Sequence, residues 1–261
     1  MSMILPEIVD SHCHLDFPEL EKDIKNVISR AKKRGVTKFV TICTREEDLE
    51  KVINLVETFK EIYFAFGLHP MNVSNSCQIS LETLIKVSKH PKMIGIGETG
   101  LDYHYTSDTK DLQIESLITH IVAVRVTKLP LIIHSRSADK DMENILVREF
   151  ISEPFKCVMH CFSSGEQLAK VTSELGFYLS MSGIVTFPKS ENLRKIFGKI
   201  DKSLVLLETD SPYLAPSPNR GKKNEPSFIK FTADKLAKLK NISNKELINQ
   251  TSQNFNRLFS N

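Results

Sequence analysis

The sequence predicts a (β/α)8 barrel in a single domain spanning residues 1–261, and three observations lead there. Short apolar runs alternate with amphipathic stretches from one end of the chain to the other, and eight of those runs fit into 261 residues. Several runs are continuous β-branched or aromatic stretches, the pattern of strands buried on both faces. No Pro/Gly/Ser-rich linker interrupts the series. A doubly wound open sheet also alternates strand and helix, and remains the alternative that counting elements alone does not remove.

In chain order the strand candidates are 7–10 "EIVD", 38–43 "KFVTIC", 62–67 "IYFAFG", 93–97 "MIGIG", 129–134 "LPLIIH", 156–160 "KCVMH", 177–183 "FYLSMSG" and 204–208 "LVLLE". Helical periodicity fills the gaps. The stretch 19–35 has apolar residues at helical spacing, basic residues in its last turn and Gly35 at its end. Further helices are expected over 46–59, 80–90, 111–128, 139–150, 166–175 and 191–200, with two more near 227–240 and 244–259. The longest irregular stretch, 211–226, follows the eighth strand and reads as a functional loop over the barrel mouth.

Composition sets the class. With 41% apolar and 26% charged residues the chain is ordinary for a globular protein. A net charge of +3 permits nucleic-acid contact without demanding it, since the longest basic block is only "RGKK" at 220–223. Five cysteines without regular spacing suggest a reducing compartment. The start "MSMILPEIVDSH" lacks the basic and apolar segments of a signal peptide, and a cytoplasmic location is the expectation.

The ionisable residues at the strand ends point to chemistry. His12 and His14 close the first strand, Glu98 the fourth, His134 the fifth and His160 the sixth, and Asp210 follows the eighth. In a closed barrel these C-terminal ends gather at one mouth, where the active sites of such barrels lie. Four imidazoles and two carboxylates suit divalent Zn or Mn, with Mg less favoured by so much nitrogen. One catalytic ion commonly takes three protein ligands, so six donors accommodate one or two ions, the pair sharing Glu98. Side chains two apart on a strand share a face, so His12 and His14 point together and Cys13 points into the packing layer behind. His90, His104 and His120 end no strand and are set aside as ligands, and Cys157 and Cys161 read as packing residues. The run "GIGETG" at 95–100 matches a dinucleotide-binding spacing, but no helix opens at its third glycine. Its glycines are expected to relieve crowding around Glu98.

With these residues identified, the chain resembles the TatD family of metal-dependent deoxyribonucleases, within the amidohydrolase-like barrels. The resemblance runs nearly end to end through "DSHCHLD" (10–16), "GLHP" (67–70), "GETGLDY" (97–103), "HSR" (134–136), "HCFS" (160–163), "LLETDSPYLAP" (206–216) and "RGKKNEP" (220–226). It implies a divalent metal centre that cleaves phosphodiester bonds of DNA, with exonuclease action expected. By family position His12, His14, Glu98 and Asp210 would hold one metal, and Glu98, His134 and His160 a second. His69 would stand beside the scissile phosphate. Two departures, His120 where a glutamine is common and "DYHYTSD" in place of a tyrosine-arginine stretch, are expected to alter substrate fit without removing a ligand.

The mechanism that follows has Asp210, Glu98 and His69 as catalytic groups, with Asp210 orienting and deprotonating a metal-activated water. Arg136 and Arg220 suit bidentate phosphate contact and Lys222 adds a point charge. DNA is the expected partner, and a monomer without an obligate protein partner is the expected state. The alternatives are an amidohydrolase acting on amides, lactones or small phosphoesters, and a non-catalytic barrel that binds metal or nucleic acid.

Overall fold

The computed structural model describes residues 7–260, so the first six residues of the leader reading lie outside it. Eight parallel strands follow one another around a single sheet in the order of the chain. They are β1 (Ile8–Cys13), β2 (Val36–Cys43), β3 (Ile62–Phe66), β4 (Met93–Asp102), β5 (Leu131–Arg136), β6 (Cys157–Met159), β7 (Tyr178–Met181) and β8 (Val205–Leu207). The helices are α1 (Pro18–Glu21), α2 (Ile24–Lys33), α3 (Leu49–Thr58), α4 (Leu81–Val87), α5 (Lys110–Thr127), α6 (Asp139–Ser152), α7 (Glu166–Glu174), α8 (Glu191–Lys199), α9 (Ile229–Lys240) and α10 (Asn244–Phe259). This is the predicted (β/α)8 barrel, and the open doubly wound sheet is excluded by its strand order.

Among the described residues no regular ladder joins β8 to β1. The ring closes instead through backbone bonds just past the strand ends, where the Asp210 N–H donates to His12 O (2.9 Å) and the His14 N–H to Ser211 O (2.8 Å). Lower down, the Ser11 hydroxyl donates to Leu207 O.

Two layers of core hold the ring. The outer layer packs strand residues such as Phe39, Phe64 and Cys13 against Val27, Leu117, Leu146 and other helix residues. The inner layer is a separate cluster of Val9, Val40, Ile42, Ala65, Ile132, Val158 and Leu206, completed by Phe255, Leu258 and Phe259 of α10. The last helix thus stoppers the barrel at the N-terminal ends of its strands. It is tied there by the Asn254 amide, which donates to Lys202 O and Val205 O.

Three expectations change in detail. The predicted helix over 19–35 is two helices, parted at Lys22–Asp23. The fourth strand does not end at Glu98 but runs on to Asp102, so Glu98 projects from its middle. The first strand ends at Cys13, with His14 just beyond it. Among the described residues no helix is long and apolar enough to cross a membrane.

Candidate metal centre

His12 and Glu98 both sit at irregularities in the sheet. Asp10 pairs with Phe39 and Cys13 with Thr41, so β1 has one residue more than β2 across His12. Ile96 pairs with Leu131 and Thr99 with Ile133, which gives β4 one extra residue across Glu98. Such bulges re-aim side chains and are frequent beside active sites. Glycine makes the second possible. Gly97 and Gly100 have φ of +131° and +144°, and a Cβ on either would overlap the carbonyl of Ile132 or His134 in β5. A Cβ on Gly67 would lie 2.6 Å from the Gly97 backbone. The glycines do relieve crowding around Glu98.

The six residues expected at the mouth converge there. Glu98 is the hub: its carboxylate oxygens lie 3.3 Å from His12 Nε2, 3.3 Å from His69 Nε2, 3.1 Å from His134 Nδ1 and 2.7 Å from His160 Nε2. Asp210 lies 3.4 Å from His14 Nε2 and 3.9 Å from His12 Nε2. Three donor groups result: His12, Glu98 and His160; His12, His14 and Asp210; His69, Glu98 and His134. Cys13 turns away from them, its thiol against Val40 O in the outer core.

The nitrogens of these rings are what a cation would satisfy. Both ring nitrogens of His12 are buried without a hydrogen-bond partner, as are Nδ1 of His14 and Nδ1 of His160. Buried polar atoms are nearly always paired, and the orphaned His12 Nε2, 3.3 Å from Glu98 and 3.9 Å from Asp210, fits a divalent ion.

Electrostatics agree. Burial alone would raise the Glu98 carboxyl, but the imidazoles of His160, His69 and His12 outweigh it and hold the group well below the usual carboxylate range. Burial likewise opposes ionisation of Asp210, and His14, with His160 behind it, brings it down. In His160 burial would favour the neutral ring, yet Glu98 and Glu208 push its pKa well above the ordinary value. His12 is lowered by burial and by the neighbouring His160.

His69 differs from the others. Its Nδ1 accepts the Met71 N–H at 3.1 Å, which leaves the proton of a neutral ring on Nε2, the nitrogen facing Glu98. It presents a hydrogen-bond donor to the cavity rather than a lone pair. His120 lies outside the cavity altogether: it is fully buried in α5, and its Nε2 accepts the Leu68 N–H at 3.0 Å. It props the loop that holds His69, so its effect on substrate fit can only be indirect. His90 packs edge-on against Phe64.

Three acids not singled out in the sequence support the site. Asp102 Oδ2 accepts from His134 Nε2 at 3.0 Å, while Asp102 Oδ1 accepts the backbone N–H groups of His104 and Tyr105. Glu208 is fully buried, accepts the Ser180 hydroxyl at 2.5 Å and stands 3.6 Å from His160 Nδ1. Carboxylates behind metal-binding histidines fix ring orientation and raise basicity. Asp10 accepts from the Thr209 N–H and hydroxyl at the seam between the first and last strands, and burial pushes its pKa up to about 8. Asp102 shares a strand face with Glu98, four residues away, and that spacing was the available signal.

The cavity over the site has a volume of about 760 Å³. His14, His69, Glu98, His134, His160 and Asp210 reach its wall, together with Arg136, whose guanidinium lies 4.6 Å from the ring centre of Tyr105. Arg220 and Lys222 do not line it. Arg220 lies over Phe187 at 4.0 Å, and Lys222 is exposed on the 211–226 loop. Of the cysteines, Cys157 is buried in the core, and Cys161 reaches the cavity wall with its thiol 3.1 Å from the Ser182 hydroxyl.

A nitrogen-rich donor set with free valence at the C-terminal mouth of a barrel is the equipment of metal-dependent hydrolases. Comparison with known proteins narrows the class. Residues 9–260 match the family described as TatD related DNase, and the chain belongs to that family. The uncharacterized metal-dependent hydrolase YabD of Bacillus subtilis (strain 168) is 35% identical over 252 residues, covering 97% of this chain and 98% of YabD. YcfH of Escherichia coli (strain K12), likewise an uncharacterized metal-dependent hydrolase, is 39% identical over 257 residues, covering 97% and 95%. The crystal structure of the TatD homologue YjjV from Escherichia coli K12 superposes with a TM-score of 0.89 at 28% identity, over 97% of this chain and 98% of that one. The protein is a metal-dependent hydrolase of the TatD family.

Proposed function

We propose that the protein is a deoxyribonuclease that removes nucleotides from the ends of single-stranded DNA, acting as a cytoplasmic monomer with one or two Zn, Mn or Mg ions. His12, His14, Glu98 and Asp210 would hold one ion, and Glu98, His134 and His160 the other. Divalent metal supplies an acidified water and positive charge against the phosphoryl oxygens. Asp210, at the cavity wall beside His14, takes the proton of the attacking water on its carboxylate. His69 donates its Nε2–H to a phosphate oxygen. Arg136 grips a phosphate from its seat on Tyr105, and Arg220 and Lys222 meet the strand farther out.

The observation that supports a nucleic-acid substrate is the rim of the cavity. Met71, Tyr105 and Tyr213 are three of the five large apolar side chains exposed among the described residues, and all three stand at this one wall. Exposed aromatic faces beside an unpaired arginine suit stacked bases and their phosphates. In the test, labelled single-stranded DNA is incubated with metal-loaded enzyme and released nucleotides are counted. Turnover is expected to vanish with chelator and to fall about a hundredfold or more in Asp210→Asn, with circular dichroism unchanged. Metal-dependent lactone or amide hydrolysis with DNA left intact would overturn the proposal.

A further inference from the structure

A second cavity, of about 1060 Å³, opens off the first. Ser135, Arg136, Ser163 and Ile184 line both, so the two form one continuous trough. It runs away from the metal site between the loops that follow β5, β6 and β7. Its volume alone matches the upper end of small-molecule pockets, about 300–1,000 Å³, and the pair exceeds it.

Cations outnumber acids along this trough, Arg136, Lys189 and Lys195 against Asp139 and Glu166. Glu166 is neutralised by Lys199 at 2.6 Å, and Asp139 accepts the Gly165 N–H at 2.8 Å. Arg136 and Lys189 have no ion-pair partner among the described residues, and Lys195 meets only Glu191 on the exposed surface of α8. Phe187 forms part of the far wall and carries the Arg220 guanidinium on its ring. Arg136, over Tyr105, lines the trough, and Arg220 lies beside it over the Phe187 ring; neither guanidinium has a carboxylate partner among the described residues. Ser163, Ser164 and Asn192 add short polar groups of the kind that contact phosphate oxygens.

We propose that this trough is the track for the DNA strand beyond the scissile phosphate, holding successive phosphates between Arg136, Lys189, Lys195 and Arg220. The proposal rests on the nuclease reading above and adds where the remainder of the substrate lies. Catalysis on a dinucleotide needs only the metal cavity, whereas a longer strand occupies the trough as well. The enzyme then prefers longer strands, and the preference is electrostatic.

The test compares Lys189→Glu/Lys195→Glu with wild type and with Lys25→Glu, a charge control on α2 that lines neither cavity. Two quantities are read: the ratio of kcat/KM for an oligothymidylate of about a dozen nucleotides to that for a dinucleotide, and anisotropy titrations of the labelled oligonucleotide in chelator across a salt series. The double variant is expected to lower the ratio about tenfold and to reduce the salt slope by about one per lysine, while Lys25→Glu changes neither. If wild type cuts DNA but the double variant keeps both the ratio and the slope, the trough is overturned and the nuclease reading stands. If wild type cuts no DNA yet binds it through these lysines, the trough stands as a DNA-binding surface and the nuclease reading falls. Absence of both cleavage and binding removes the two together.

Discussion

His120 has no exposed surface and both ring nitrogens engaged, Nδ1 with Ser116 O at 2.7 Å and Nε2 with the Leu68 N–H. His120→Leu leaves that N–H buried without an acceptor, a loss of about 1–3 kcal/mol in denaturant unfolding, and it loosens the seat of His69. His120→Gln keeps an acceptor and is expected to retain most of the stability and activity. Burial holds the His120 pKa down to about 4 from 6.5. Between those values the unfolded chain binds a proton that the folded chain refuses. Stability is therefore complete above pH ~6.5 and declines as pH falls toward ~4, by about 3 kcal/mol from this ring. Unfolding curves at neutral and acid pH should show a shallower acid loss in His120→Gln. At this scale much of the candidate site was legible: two-residue spacing separated His12 and His14 from Cys13, and the expected strand ends pointed to His160, just past β6, and to His134, which lies two residues inside β5 because that strand runs on to Arg136. Glu208 escaped because it stands behind another ring and no spacing in a single sequence says which, whereas Asp102 had only its four-residue spacing from Glu98 to mark it.

The elements show where periodicity stops informing. Apolar runs located all eight strands, yet β4 proved twice the predicted length and β1 and β4 each took in an extra residue. A bulge does not change which residues are apolar, so only the glycines of "GIGETG" hinted at it. Gly100→Ala must force a Cβ into the His134 carbonyl in a backbone region that L-residues rarely adopt. It is expected to destabilise the fold and to weaken metal uptake, read by calorimetric titration, more than Gly198→Ala on α8, where a Cβ meets nothing within 4 Å. The stopper helix α10 makes a separate prediction. Phe255→Ala opens the inner core at the base of the barrel and should cost about 3–5 kcal/mol in denaturant unfolding, while metal affinity, set at the opposite end, stays near wild type. Amphipathic periodicity foretold that helix but not that its apolar face would enter the ring.

For the whole molecule, metal binding at the barrel mouth is expected to couple to folding. A cation at about a hundred times its Kd adds about 2.7 kcal/mol, which in a chain of this size raises Tm by about 5 °C or more. Thermal melts with Zn or Mn against chelator should show that rise, and Glu98→Gln, which breaks the hub, should abolish it. The barrel and the gathering of its candidate ligands were readable because topology alone brings strand ends together. The trough was not, since it depends on the shapes of three loops whose sequences have no periodicity. The ring itself is fastened by backbone bonds between Asp210 and His12 and between His14 and Ser211. The donors contributed by opposite ends of the chain are thus clasped by the same bonds that shut the barrel. A nascent or clipped polypeptide lacking its final strand is expected to hold only part of the candidate ligand set, so hydrolytic competence should arrive late in synthesis, and proteolysis should extinguish it instead of releasing an active fragment.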